Sequence, residues 1–165
     1  MIAQWIKRLR GILVPAGFGD GRSRNADLAD ILRDDYVNLL RLADQVDDHA
    51  GKAPYPSVAA RLREISAENR RTAAALKEKF PAVAGPGAEG TELPLKTGTN
   101  HWERMVHDLE DTKTLETRLF VQAVRLAEEA PEISGLLRDI ASIQAHNKEI
   151  FIDLIARADP QANLS

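Results

Sequence analysis

The sequence predicts an all-α protein, a bundle of four long helices in which two antiparallel hairpins are joined by a long crossover. Three observations predict it. Apolar residues recur at three-and-four spacing over four separate stretches. Proline and glycine clusters divide those stretches. No run of alternating apolar and polar residues marks a strand.

The first helix is expected over residues 25–50, with Leu28, Ile31, Leu32, Tyr36, Leu39, Leu42, Ala43 and Val46 on one face. Asn25 is its expected N-cap and Gly51 its stop. Ala53-Pro54-Tyr55-Pro56 forces a turn, and Pro56 suits the first helical position of a second helix over residues 56–80. Val58, Leu62, Ile65, Ala73, Leu76 and Phe80 form its stripe, and Pro81 ends it. Residues 81–99 carry Pro81, Gly85, Pro86, Gly87, Gly90, Pro94 and Gly98 and no periodicity, which predicts a crossover loop. Such a loop lets the third helix begin at the far end, giving an up-down-down-up order.

Asn100 is placed to cap the third helix, whose stripe reads Trp102, Met105, Leu109, Thr112, Glu116, Leu119, Ala123 and Leu126. Pro131 separates it from the fourth, which carries Ile133, Leu136, Leu137, Ile140, Ile143, Asn147, Ile150, Phe151, Leu154 and Ile155 and closes at Asp159-Pro160. A bundle of another connectivity has the same periodicity. The divisions are an arm over residues 1–24, a bundle over 25–160 and a tail over 161–165.

Length and charge bound the function. The chain of 165 residues is of single-domain size. It has no cysteine, which excludes disulfides, thiolate metal sites and a cysteine nucleophile. A net charge of −3 argues against a nucleic-acid partner. The charge is uneven, since residues 1–24 hold Lys7, Arg8, Arg10, Arg22 and Arg24 against Asp20 alone. No stretch is apolar for long enough to span a bilayer, and no small-residue cleavage site follows the first residues. A cytoplasmic location is expected, peripheral to the membrane if the arm binds there.

From about residue 28 to 162 the chain resembles the bacterial ferritin-like proteins related to rubrerythrin and bacterioferritin. Three short motifs carry the resemblance: Ala53-Pro54-Tyr55-Pro56 after the first helix, Asn100-His101-Trp102-Glu103-Arg104 at the opening of the third, and Ala158-Asp159-Pro160-Gln161 at the end. The resemblance implies a di-metal centre with one carboxylate from each of two helices and a Glu-x-x-His motif from each of the other two. Carried onto this chain, the ligand positions fall near Leu39, on Glu68 and Arg71, near Thr112, and on Gln144 and Asn147. Only Glu68 is a ligand type of the expected kind. Iron or manganese needs several anionic oxygens and neutral imidazoles at one point, and an arginine places a permanent cation there instead. Glu68 and Arg71 are better read as an ion pair one turn apart. Thr112, Gln144 and Asn147 are expected to bond to one another and to Glu68, plugging the centre.

Other candidates are few. His146 with Glu149, and His107 with Asp108, Glu110 and Asp111, are the remaining histidine–carboxylate clusters. Asp35 and Glu116 lie near inward stripes, and with Glu68 and His146 they make a candidate displaced metal site. The structural reading of the two acids is pairing with Arg33, Arg118 or Lys113.

The positive signal is the arm. Ile2, Trp5, Ile6, Leu9, Ile12 and Leu13 share one face of a helix, and Gln4, Lys7, Arg8 and Arg10 the other, with Pro15, Gly17 and Gly19 following. A short cationic amphipathic helix suits an anionic membrane surface, a hydrophobic groove on a protein partner, or a second copy of the chain. It can also fold back on its own bundle. The expectation is a non-catalytic accessory subunit without a cofactor, docked through residues 2–14. The alternative is a di-iron oxidoreductase or metal-binding protein using the displaced site.

Overall fold

The computed structural model describes residues 21–85, 88 and 93–158, with side chains from Leu28 onward. Among these residues the protein is all-helical: α1 spans Gly21–Gly51, α2 Pro56–Lys79, α3 His101–Leu126 and α4 Pro131–Ala158. A 3-10 turn over Pro81–Ala84 follows α2. It occupies the start of the segment expected to lack helical structure, and Val83 inserts from it into the core with no exposed surface. α1 begins four residues before Asn25, which therefore lies inside the helix and does not cap it. The cap expected at Asn100 is present: Oδ1 accepts from Glu103 N at 2.8 Å. Glu103 in turn accepts from Thr99 N and Oγ1, so the first turn of α3 is closed from both directions.

Buried positions alternate by three and four along every helix: Leu32, Asp35, Leu39, Leu42, Val46 and His49 on α1; Leu62, Ser66, Asn69, Ala73 and Leu76 on α2. On α3 they are Met105, Asp108, Thr112, Leu115, Leu119 and Gln122, and on α4 Leu137, Ile140, Gln144, Asn147 and Phe151. This is a heptad rhythm, the pattern that packs near-parallel helices side by side. It corrects the expected stripe of α3. Leu109 and Glu116 lie one residue outside the seam and are only partly buried, and Trp102 is 43% exposed. Asp108 and Gln122 face inward in their place.

Side-chain bonds fix the directions. Arg118 on α3 meets Asp35 near the start of α1, and Asp108 meets His49 near its end, so these helices run oppositely. Ser66 Oγ donates to Ala43 O, joining α2 to α1, and Ser134 Oγ donates to Ala123 O, joining α4 to α3. Lys79 with Glu132 and Asn69 with Gln144 set α2 antiparallel to α4. Between α2 and α3 the chain changes ends: Ala82 O accepts from Arg33 near the start of α1, whereas Lys96 lies against Gln45 and His49 near its end. At Gly98 a Cβ would sit 2.8 Å from the backbone nitrogen of Arg104, so only glycine lets this strand of chain lie on the first turn of α3.

Candidate functional site

The expected ligand positions and their neighbours place buried residues on all four helices. Leu39 comes from α1, Asn69 from α2, Thr112 from α3 and Gln144 and Asn147 from α4, and each is at least 97% buried. Gln144 Nε2 donates to Asn69 Oδ1 at 2.8 Å. Of the expected plug, Leu39, Thr112, Gln144 and Asn147 are buried, but Glu68 and Arg71 lie outside, and the bond seen runs from Gln144 to Asn69, not among Thr112, Gln144, Asn147 and Glu68. The Glu68 carboxylate turns outward and pairs with Arg71 on the helix surface, where both side chains are substantially exposed. The inward position of that turn belongs to Asn69, one residue on, because the α2 seam runs Leu62, Ser66, Asn69 and Ala73.

A di-iron or di-manganese group does not fit these residues. They offer a leucine, a hydroxyl and three carboxamides, all neutral, where such ions require anionic oxygens and imidazoles. The candidate displaced site is not assembled either. Asp35 is fully buried and bonded by Arg118 Nε at 2.6 Å. Glu116 is held by Lys148 Nζ at 2.7 and 2.9 Å, across the α3–α4 contact. Glu68 is with Arg71, and His146 is exposed. Only Glu68 and His146 share a site, a groove of about 580 Å³ between α2 and α4 with Ile65, Ile143, Asn147 and Ile150 among its walls. Among the described residues no three His, Asp or Glu side chains are grouped so as to hold a metal ion.

The larger polar cluster lies elsewhere, between the end of α1, the start of α3 and the incoming loop. His49 Nδ1 is 2.8 Å from Asp108 Oδ2, and its Nε2 donates to Lys96 O at 3.0 Å. Gln45 Nε2 donates to Asp108 Oδ1 and Asp111 Oδ2, while its Oε1 accepts from Lys96 N and Arg41 Nη1. Asp111 also takes Arg41 Nη2 and Lys96 Nζ. Burial opposes the charge on Asp111, but the bonds from Lys96 and Gln45 and the Arg41 and Lys96 cations outweigh it and hold the carboxyl below its ordinary value. His101, the first residue of α3, is held below the ordinary histidine value by burial, then by Arg104 and His49. The cluster pins the loop at Lys96 by both backbone atoms and the side chain, which makes it a fastening between elements.

Sequence reasoning missed His49, Gln45, Asn69 and Lys96. The signal for His49 was its heptad spacing from Leu42 and Val46. The sequence groups Asp108 with His107, yet Asp108 is fully buried and meets His49, while His107 stays near the surface 3.9 Å from Glu110. For Lys96 no sequence signal existed, since its role depends on where the loop lands. Residues Ile2, Trp5, Ile6, Lys7, Arg8, Leu9, Arg10, Ile12 and Leu13 of the arm lie outside the described residues.

No protein-family model and no curated protein matches this chain.

Proposed function

We propose that this chain is a ferritin-like bundle serving as a non-catalytic accessory subunit, docked through the apolar face of residues 2–14 on a protein partner or membrane surface. What supports the first half is that the positions the resemblance assigns to metal ligands hold Leu39, Thr112, Gln144 and Asn147, neutral side chains at least 97% buried, while Glu68 lies outside with Arg71. The opposed directions of α1 and α3, with the change of ends between Ala82 and Lys96, support the ferritin-like order of helices. The acids near the core have protein partners: Asp35 has Arg118, Glu116 has Lys148, Asp111 has Arg41 and Lys96, and Asp108 has His49 and Gln45. Removing one partner of such a buried pair leaves the other uncompensated, which commits these groups to the scaffold.

The second half rests on the sequence of the arm, whose Lys7, Arg8 and Arg10 oppose Ile2, Trp5, Ile6 and Leu9 around a helix. The test compares the full chain with a variant lacking residues 1–14, by co-sedimentation with anionic phosphatidylserine vesicles and by sedimentation velocity. The proposal expects the full chain to bind vesicles or to sediment as a larger assembly than the truncated chain, which remains folded and binds no vesicles. Equal behaviour of the two would refute docking through the arm.

A further inference from the structure

Helix α3 carries a second apolar stripe, turned away from the core. Trp102, Phe120 and Val124 are 43%, 55% and 53% exposed, and Val106 lies partly buried in line with them. Half of the large apolar side chains exposed among the described residues therefore belong to this one helix. Their positions are symmetric about Lys113, itself exposed. Val106 and Phe120 stand seven residues either side of it, and Trp102 and Val124 eleven residues either side. Those spacings are close to two and three helical turns, so all five side chains lie within about 20° of one line along the helix, over about 33 Å.

We propose that this stripe is the interface of a homodimer, in which α3 of one protomer lies antiparallel to α3 of its partner across a two-fold axis at Lys113. Such an axis sets each residue before Lys113 against the residue equally far after it in the other copy, and makes every contact twice. Trp102 then packs on the partner's Val124, and Phe120 on the partner's Val106. Each large side chain meets a small one, which keeps the two helices evenly spaced along the contact. A parallel pairing sets Trp102 on Trp102 and Phe120 on Phe120, with valines facing valines at the other two levels, and loses that fit.

The charges agree with a second copy as the occupant. Lys113 makes no ion pair among the described residues, and Glu110, one turn before it, is exposed with only His107 at 3.9 Å. In the antiparallel pair each Lys113 reaches the partner's Glu110, and these two bonds offset the meeting of two lysines at the axis. Glu116, the acid one turn after Lys113, is already held by Lys148. A lipid surface is disfavoured, since Lys113 and Glu110 interrupt the stripe at its middle where an inserting face is apolar.

The experiment uses the full chain, which has no cysteine of its own. Lys113→Cys places one thiol on the axis and is expected to give a disulfide-linked dimer on mild oxidation, because two-fold-related positions on packed helices come within disulfide reach. Ser142→Cys, exposed on α4, is expected to stay unlinked under the same treatment. In sedimentation velocity the wild type is expected to be a dimer and Phe120→Asp a monomer with unchanged helical circular dichroism. Lys113→Glu is expected to weaken the dimer about tenfold or more, and adding Glu110→Lys to restore it. Deletion of residues 1–14 is expected to leave this dimer intact, which separates it from docking through the arm. A monomeric wild type, whose stripe is then covered by its own arm or by another protein, overturns the proposal. So does a dimer indifferent to Phe120→Asp or lost with residues 1–14, a charge exchange that fails to restore association, or equal cross-linking of Lys113→Cys and Ser142→Cys.

Discussion

Asp35 is a carboxylate with almost no contact with water. Burial pushes Asp35 up from 3.8 to about 6, against the pull of the Arg118 guanidinium. The folded protein therefore keeps a proton that the unfolded chain releases, and stability from this group is present in acid and declines as pH rises from about 4 to about 6. Asp35→Asn is expected to flatten that part of the profile in urea titrations across the range, while an unchanged slope would refute the assignment. At neutral pH the ionised Asp35 depends on Arg118, so Arg118→Met is expected to cost about 3–5 kcal/mol, the range for a buried charge left without its partner. Glu68→Ala removes only the exposed bond to Arg71, for which a change within about 0.5 kcal/mol is expected by the same titration. The contrast between these two acids measures which of them belongs to the interior.

At the level of elements, the heptad seams explain both what was legible in the sequence and what was not. Helix α2 was legible nearly to its ends because Pro56 and Pro81 punctuate it, and the cap of α3 because Asn100 precedes Glu103 by three residues. The inward face of α3 was misplaced by one residue at alternate turns. Leu109 and Glu116 were chosen over Asp108 and Leu115, since a polar residue on a seam disguises the register. The choice of Glu68 over Asn69 failed in the same way. Polar seam residues are recognisable only once partners on other helices are known: Gln144 for Asn69, His49 for Asp108 and Arg118 for Asp35. Two element-scale outcomes follow from the packing. Leu119→Ala, emptying a fully buried position on α3, is expected to cost about 2–5 kcal/mol in chemical denaturation. Gly98→Ala sets a methyl group against the backbone of Arg104, which cannot move without opening the first turn of α3. It is expected to lower the melting temperature and to increase amide exchange at residues 96–104; unchanged exchange there would show that the close approach is not maintained.

For the whole molecule, the polar groups divide into a fastening and a filling. The cluster of Arg41, Gln45, His49, Lys96, Asp108 and Asp111 ties the returning loop to the ends of α1 and α3. Asn69, Thr112, Gln144 and Asn147 fill buried positions with neutral side chains. The carboxylates and imidazole of the fastening, Asp108, Asp111 and His49, are bonded to Gln45, Arg41, Lys96 and one another. On this account the bundle is a support and the arm is the working surface. Among the described residues no helix is long and apolar enough to cross a membrane. The account's central claim is tested most directly by adding ferrous iron to the purified full-length chain under air and measuring bound metal together with oxygen consumption. It predicts no stoichiometric binding and no oxygen uptake above the protein-free control; iron bound in stoichiometric amount, and released by Glu68→Ala, would contradict it.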